Sequence, residues 1–259
     1  ASPMNAPVVL IGVGEMGGVF ARGLLRLGHP VHPVTRATPL EAVAAEVPRP
    51  LLALVAVTEA DLPSVLRDLP DTWRDRAGLL QNELLPGDWS SLADPTVISV
   101  WFEKKPGQEA KVIIPSPVFG PRAELLADAL SVVDIPARLL GSPEQLLFEL
   151  VVKNLYILAA NIAGLRVGGT VGELWDRHRD FASAVVEDVI VLQEALTGRA
   201  FDRPALIEAL LEAFRGDPDH KCMGRSAPAR LVRALAHAKA QRLRLPVLEE
   251  IARERGASG

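Results

Sequence analysis

The chain has 259 residues, enough for one large domain or two modest ones, with 49% hydrophobic and 23% charged residues, the balance of an ordinary globular protein. A net charge of −4 argues against nucleic acid, whose binders carry a basic excess, and no aromatic residues interleave with the C-terminal basic positions to stack bases. A single cysteine, Cys222, excludes an internal disulfide and fits a reducing cytoplasm, and no run reaches the roughly 18 consecutive apolar residues of a membrane span.

Ala1-Ser2-Pro3 ahead of Met4 reads as an expression remnant, and no signal-peptide pattern precedes the first strand. Val8 to Gly12 (VVLIG) is a strand without polar alternation, as expected where both faces of a parallel sheet are covered. Glu15 to Leu27 reads as a helix ended by Gly28, followed by a strand at Val31 to Thr35 and a short helix at Leu40 to Val47. Leu51 to Val57 is another buried strand, with a helix around Ala60 to Leu69. Further apolar runs lie at Gly78 to Gln81, Thr96 to Trp101 and Val112 to Ile114, before a helix at Arg122 to Val133 and a strand near Ala137 to Leu140. Strands alternating with helices predict βαβ crossovers and a doubly wound α/β sheet of Rossmann type.

The pattern changes at Gly141. Ser142-Pro143-Glu144-Gln145 has the form of a capping box opening a long apolar helix to about Ala163. Its apolar run is interrupted by Glu149, Lys153, Asn154 and Asn161. Helices follow at roughly Val171–Leu196, Arg203–Phe214, Ala227–Arg242 and Val247–Arg255. The predicted organisation is therefore a Rossmann-type nucleotide-binding domain over residues 4–141 and an all-helical domain over 142–259, the latter carrying substrate contacts or a dimer seam.

Gly12-Val13-Gly14-Glu15-Met16-Gly17 lies where a dinucleotide fingerprint belongs, after a buried strand and at the start of a helix. The first glycine permits the tight turn, the second lets the pyrophosphate approach the backbone, and the third lets helix and strand pack closely. The pyrophosphate would sit on the positive end of the helix. A site for NAD expects an acid at the end of the second strand, yet Val31 to Thr38 contains none. The strand ends in Thr35-Arg36 instead, a hydroxyl and a guanidinium suited to a 2′-phosphate, which favours NADP(H). The alternative is an arginine that touches nothing.

Three later features are candidates for chemistry. Gln81-Asn82 ends a strand on the side of the sheet where ligands collect, so an amide there could hold the nicotinamide ribose or the substrate, or merely make a turn. Lys153 and Asn161 lie eight residues apart on the long helix, about 12 Å of rise and about 80° of rotation, so they share a broad face. Lys153 could donate a proton to a carbonyl oxygen, or snorkel at the helix edge. His220 to Ser226 precedes a helix rich in basic residues, with Ser226 a plausible N-cap. The five histidines show no metal-ligand spacing, and no metal is expected.

The order of these features resembles the ketopantoate reductase family, within the wider 6-phosphogluconate dehydrogenase-like group. The likeness rests on the N-terminal GVGEMG, Gln-Asn after a mid-sheet strand, a long helix with lysine and asparagine, Gly172-Glu173-Leu174 beyond it, and Pro246 near the last helix. It implies reduction of a small 2-keto acid or related carbonyl by NADPH. Lys153 falls where the family's proton-donating lysine lies. Asn161 matches a substrate-contacting asparagine, Asn82 one near the nicotinamide, and Ser226 stands near a substrate-binding glutamate. Val57 and Thr58, after the third strand, join Gly12, Gly14, Glu15, Met16, Gly17, Thr35, Arg36 and Asn82 as the implied cofactor contacts. Several positions depart from the family: Thr58 and Ile157 replace a lysine and an asparagine, Glu83 replaces the glycine of QNG, and the glutamate is missing. The resemblance thus leaves two readings, an NADPH-dependent reductase or a non-catalytic NADPH-binding sensor on a decayed reductase scaffold. A homodimer is compatible with either.

Overall fold

A computed structural model describes residues 6–257, so the residues read as an expression remnant lie outside the described region. The chain divides into two compact units, one up to Glu149 and one from Leu150.

The first unit is built on β1 (Val8–Ile11), β2 (Val31–Val34), β3 (Leu52–Val55), β4 (Ala77–Leu79), β5 (Thr96–Ile98), β8 (Ser116–Phe119) and β9 (Ala137–Leu139). Among the described residues these seven form one sheet in the order β2-β1-β3-β4-β5-β8-β9. Neighbours run parallel throughout except β5 and β8, which pair antiparallel. Its helices are α1 (Glu15–Arg26), α2 (Leu40–Glu46), α3 (Leu62–Asp68) and α4 (Ala123–Ser131).

Every residue of β1 and β3 is buried, which is why both read as unbroken apolar runs. One face of the sheet is covered by α1 and α4. Phe20, Leu24, Leu126 and Leu130 pack there with Val8, Leu10, Ile98 and Val118 in one core cluster. Gly23 makes the helix pairing possible: a Cβ at that position would lie 1.9 Å from the Ala129 carbonyl oxygen. α1 ends as its sequence announces, with Gly28 N–H bonding Leu25 O (3.0 Å) and His29 N–H bonding Leu24 O (3.0 Å), a Schellman arrangement.

Two strands depart from expectation. The strand expected over Thr96 to Trp101 stops at Ile98, and residues beyond it form β6 (Phe102–Glu103), which pairs with β7 (Lys111–Val112) as a separate antiparallel hairpin. β8 was not anticipated, because Pro117 inside a short run argues against a strand. The proline is tolerated because it is used through its carbonyl, which accepts from Ser99 N–H at 2.9 Å.

The helical part begins with α5 (Pro143–Val167) and continues through α6 (Val171–Arg177), α7 (Arg179–Thr197), α8 (Arg203–Gly216), α9 (Ala227–Ala240) and α10 (Pro246–Ala257). Ser142 Oγ accepts from Gln145 N–H at 3.2 Å, as the capping pattern requires, while Gln145 Oε1 reaches one residue past the cap to Gly141 N–H at 2.8 Å. α5 is long and apolar enough to cross a membrane by length and composition, but 72% of its most apolar window is buried, as in a core helix. The single helix expected over Val171–Leu196 is interrupted at His178, whose φ of −131° and ψ of 37° leave the helical region with no Gly or Pro to signal the break.

Two polar groups buried among these helices tie neighbouring helices together. Asn154 Nδ2 of α5 donates to Gln193 Oε1 of α7 at 3.0 Å. Asp188 of α7 accepts from the N–H groups of Val247 and Leu248 at 2.9 and 3.2 Å, capping the first turn of α10.

Candidate functional site

In an open α/β sheet, ligands collect where the connections from two adjacent strands leave in opposite directions. Here that point lies between β1, whose connection runs to β2, and β3, whose connection runs to β4. The glycine loop leaves β1 and residues 56–61 leave β3, so both open onto the crevice at the carboxyl ends of those strands.

The three glycines of the loop have separate duties. Gly12 holds φ at +95°, and a Cβ there would lie 2.7 Å from Ala56 O. Gly17 presses the first turn of α1 against the strand end, with a Cβ position 2.5 Å from Gly12 O. Gly14 is the N-cap of α1, makes no side-chain cap, and its Cβ would meet nothing within 4 Å. Two glycines are thus required by the protein's own packing, while the middle one leaves space open beside the helix terminus. Glu15 is exposed and Met16 half-buried along the same turn. The arrangement fits a dinucleotide pyrophosphate, which needs close approach to backbone N–H groups at a helix start.

At the end of β2, Thr35 is held in a turn, its N–H and Oγ1 lying 3.1 and 3.0 Å from Thr38 Oγ1. Arg36 is not idle: its Nη2 lies 3.0 Å from Asp61 Oδ2, with a side chain 91% exposed. Thr58 Oγ1 donates to the same carboxylate oxygen at 3.1 Å. Val57 is half-buried, and its carbonyl accepts from Gln81 Nε2 at 3.0 Å. Gln81 also donates to Val55 O (2.7 Å) and accepts from Leu80 N–H (3.1 Å), so its buried amide ties the ends of β3 and β4 together. Gln81 is thus used within the sheet, while Asn82 beside it is half-buried. Glu83 takes φ +61°, the left-handed conformation a glycine adopts at least cost.

Two charged residues here escaped the sequence reading. Asp61 precedes α3 and looks like a helix cap, yet its side chain makes no cap bond and turns to Arg36 and Thr58. Lys104, just after β6, has a side chain only 14% exposed, and its Nζ lies 3.1 Å from Glu15 Oε2 and 2.8 Å from Lys105 O. The Phe20 and Phe102 rings, 6.2 Å apart, bring β6 to α1 and so Lys104 to the glycine loop. A lysine so placed neutralises the one carboxylate of that loop.

In the helical unit, Lys153 and Asn161 are both half-buried on α5, with buried Ile157 between them. One turn further, a Cβ at Gly164 would lie 2.8 Å from Met223 Cβ and 2.9 Å from Cys222 Cβ. The segment from 218 to 223 is thereby laid along this helix. It is pinned by Val171 N–H to His220 O (2.9 Å), Gly172 N–H to Pro218 O (2.9 Å) and Cys222 N–H to Gly169 O (3.0 Å). The Tyr156 ring sits 6.0 Å from His220. Burial, with a smaller contribution from the Glu173 carboxylate, pushes the Cys222 thiol up to about 11, so it is no nucleophile at neutral pH.

Ser226 is exposed, and it does not cap α9 as expected. Its φ of −84° and ψ of −6° are already helical, and its side chain makes no cap bond. The structure instead caps α6 with Thr170, whose Oγ1 accepts from Glu173 N–H at 3.2 Å. That residue stands before the Gly172-Glu173-Leu174 stretch and was not singled out.

No protein-family model matches the sequence, and no curated protein matches it at a significant level. Solved structures do match it in fold. A 2-dehydropantoate 2-reductase (ketopantoate reductase) from Methylococcus capsulatus superposes with a TM-score of 0.69 at 15% identity, covering 97% of this chain and 96% of that one. A ketopantoate reductase from Staphylococcus aureus, described as dimeric, gives 0.62 at 15% identity, covering 97% and 99%. A D-mandelate dehydrogenase in complex with NADH gives 0.65 at 15% identity, covering 97% and 98%. The chain has the ketopantoate reductase fold over nearly its whole length.

Proposed function

We propose that this protein is an NADP(H)-dependent oxidoreductase related to the ketopantoate reductases, which reduces a small 2-keto acid or related carbonyl to the hydroxy compound. The observation that carries this reading is Gly14: in a loop where Gly12 and Gly17 are packed to contact, the middle position opens into space at a helix start. That is the fingerprint's geometry, and Arg36, just after the neighbouring strand β2, favours a 2′-phosphate.

The bound nicotinamide would supply a hydride to the carbonyl carbon. The chain's own residues would do the rest. The Lys153 ammonium donates a proton to the carbonyl oxygen as negative charge develops there, completing a CH–OH from C=O. Asn161 and Asn82 would orient substrate and nicotinamide ribose, with Ser226 a further substrate contact. Glu15, Met16, Thr35, Val57 and Thr58 would complete the cofactor's surroundings. A homodimer belongs to the same reading, since one protein of this fold is described as dimeric.

The test uses the openness at Gly14. Gly14 has φ −72°, which any residue adopts, so Gly14→Val should fold, losing only the modest preference for glycine over valine at a helix N-cap. Its side chain would occupy the pyrophosphate's place, and NADPH binding, followed by fluorescence titration, should fall at least about tenfold. Unchanged NADPH affinity in a folded Gly14→Val variant would remove the dinucleotide reading.

A second reading is a non-catalytic NADPH sensor. Buried Ile157, where the resemblance leads one to expect an asparagine one turn after Lys153, favours it. The half-buried Lys153 and Asn161 on the same helix face favour the enzyme.

A further inference from the structure

The sequence has no acid at the end of β2, yet the fold brings one there from elsewhere. Asp61 comes from the loop after β3, and its Oδ2 receives both Arg36 Nη2 at 3.0 Å and Thr58 Oγ1 at 3.1 Å. Because β2 and β3 flank β1 in the sheet, a contact between the loops that leave them crosses the carboxyl end of β1, beside the glycine loop. The pair is solvent-accessible, with side chains 91% and 40% exposed, so its own contribution to stability is small and it is free to rearrange.

Resting on the dinucleotide reading of this crevice, we infer that Asp61 is the residue that sets the choice between NADPH and NADH, acting against Arg36. A 2′-phosphate carries close to two negative charges at neutral pH. Brought to Arg36, it is brought to the Asp61 carboxylate as well. One unit of like charge at about 4 Å in water weakens binding roughly fivefold. A 2′-hydroxyl meets no such opposition. It can donate to a carboxylate that still has lone-pair sites beyond those given to Arg36 and Thr58. Asp61 thereby does for the ribose hydroxyl what an acid on the second strand does in NAD-binding sites, and Arg36 does the opposite for the phosphate. The protein accepts both dinucleotides, with a modest preference that one carboxylate holds down.

The experiment measures NADPH and NADH dissociation constants for the parent protein, Asp61→Asn and Arg36→Ala, with a melting curve for each. Asp61→Asn keeps the acceptor oxygen and removes the charge. Since the Asp61 side chain makes no cap on α3, the variant should melt with the parent. Its ratio of NADPH to NADH affinity should rise at least about fivefold, while Arg36→Ala should lower the ratio. A ratio in Asp61→Asn that is unchanged, or shifted toward NADH, while the parent binds dinucleotide would overturn the role of Asp61 alone. A parent protein that binds neither dinucleotide would overturn the reading of the crevice and this inference together.

Discussion

Arg36 and Lys104 are the two cations whose placement matters most at the proposed cofactor site, and they differ in kind. Arg36 is exposed and exchanges partners at little cost, so its effect shows only when a 2′-phosphate is present. Arg36→Ala should therefore weaken NADPH binding by about tenfold to a hundredfold, the worth of a charged hydrogen bond, and leave NADH binding within about twofold. Parallel titrations with the two dinucleotides check this. Lys104 is nearly enclosed and faces Glu15 at 3.1 Å. Lys104→Met should leave the Glu15 carboxylate unneutralised beside the pyrophosphate and weaken both dinucleotides alike; equal affinity to the parent would remove Lys104 from the site. The geometry of the glycine loop and the place of Arg36 at the end of β2 were legible because both are local, set by a few residues between one strand and one helix. Asp61 and Lys104 were not, since their partners lie 25 and 89 residues away and only the folded sheet brings them together.

At the scale of elements, the position of α1 governs the loop at its start. Gly23 lies against Ala129 O so closely that no side chain fits between α1 and α4. Gly23→Ala should cost about 1–3 kcal/mol of stability by overpacking, measured by urea unfolding, and lower dinucleotide affinity by tilting the helix start. The segment 218–223, seated on α5 at Gly164, makes a second prediction. Cys222 is buried with its thiol raised to about 11, so the native protein should resist alkylation at pH 8 and react only when unfolded. Rapid modification of the native protein would contradict that seating. Most elements could be read from apolar runs and from end signals such as Gly28 and the Ser142 cap. β8 could not, because Pro117 masks it, and the break between α6 and α7 at His178 carries no Gly or Pro. At Glu83 a left-handed backbone survives without its usual glycine, so Glu83→Val should destabilise while Glu83→Gly should not.

Across the whole molecule, stability should depend on pH through a few carboxylates of the helical unit. For Glu194, burial acts to raise the pKa, but the Phe201 N–H and the Arg203 guanidinium, 2.9 Å away, outweigh it and hold the group below 4.5. A lowered carboxylate stabilises the fold above its unfolded pKa and loses that contribution as pH falls through the folded value. Glu194→Gln should therefore lower the melting temperature at pH 7, with the difference shrinking as the pH falls below about 4.5. Asp188 has the opposite sign: burial outweighs its bonds to Leu248 and Val247 and raises it above 3.8. Its charged form carries a penalty above the folded pKa, so Asp188→Asn should not destabilise the protein at neutral pH.

The proposed function requires that this fold, with Lys153 on its long helix, perform a reduction. The most direct measurement is NADPH consumption in the presence of a panel of 2-keto acids, ketopantoate included, for the parent protein and for Lys153→Ala. The parent should turn over at least one keto acid, and Lys153→Ala should lose that turnover with NADPH affinity retained, because the lysine acts in the transition state. NADPH that binds but is consumed with no keto acid, or turnover undiminished without Lys153, would contradict the proposed function.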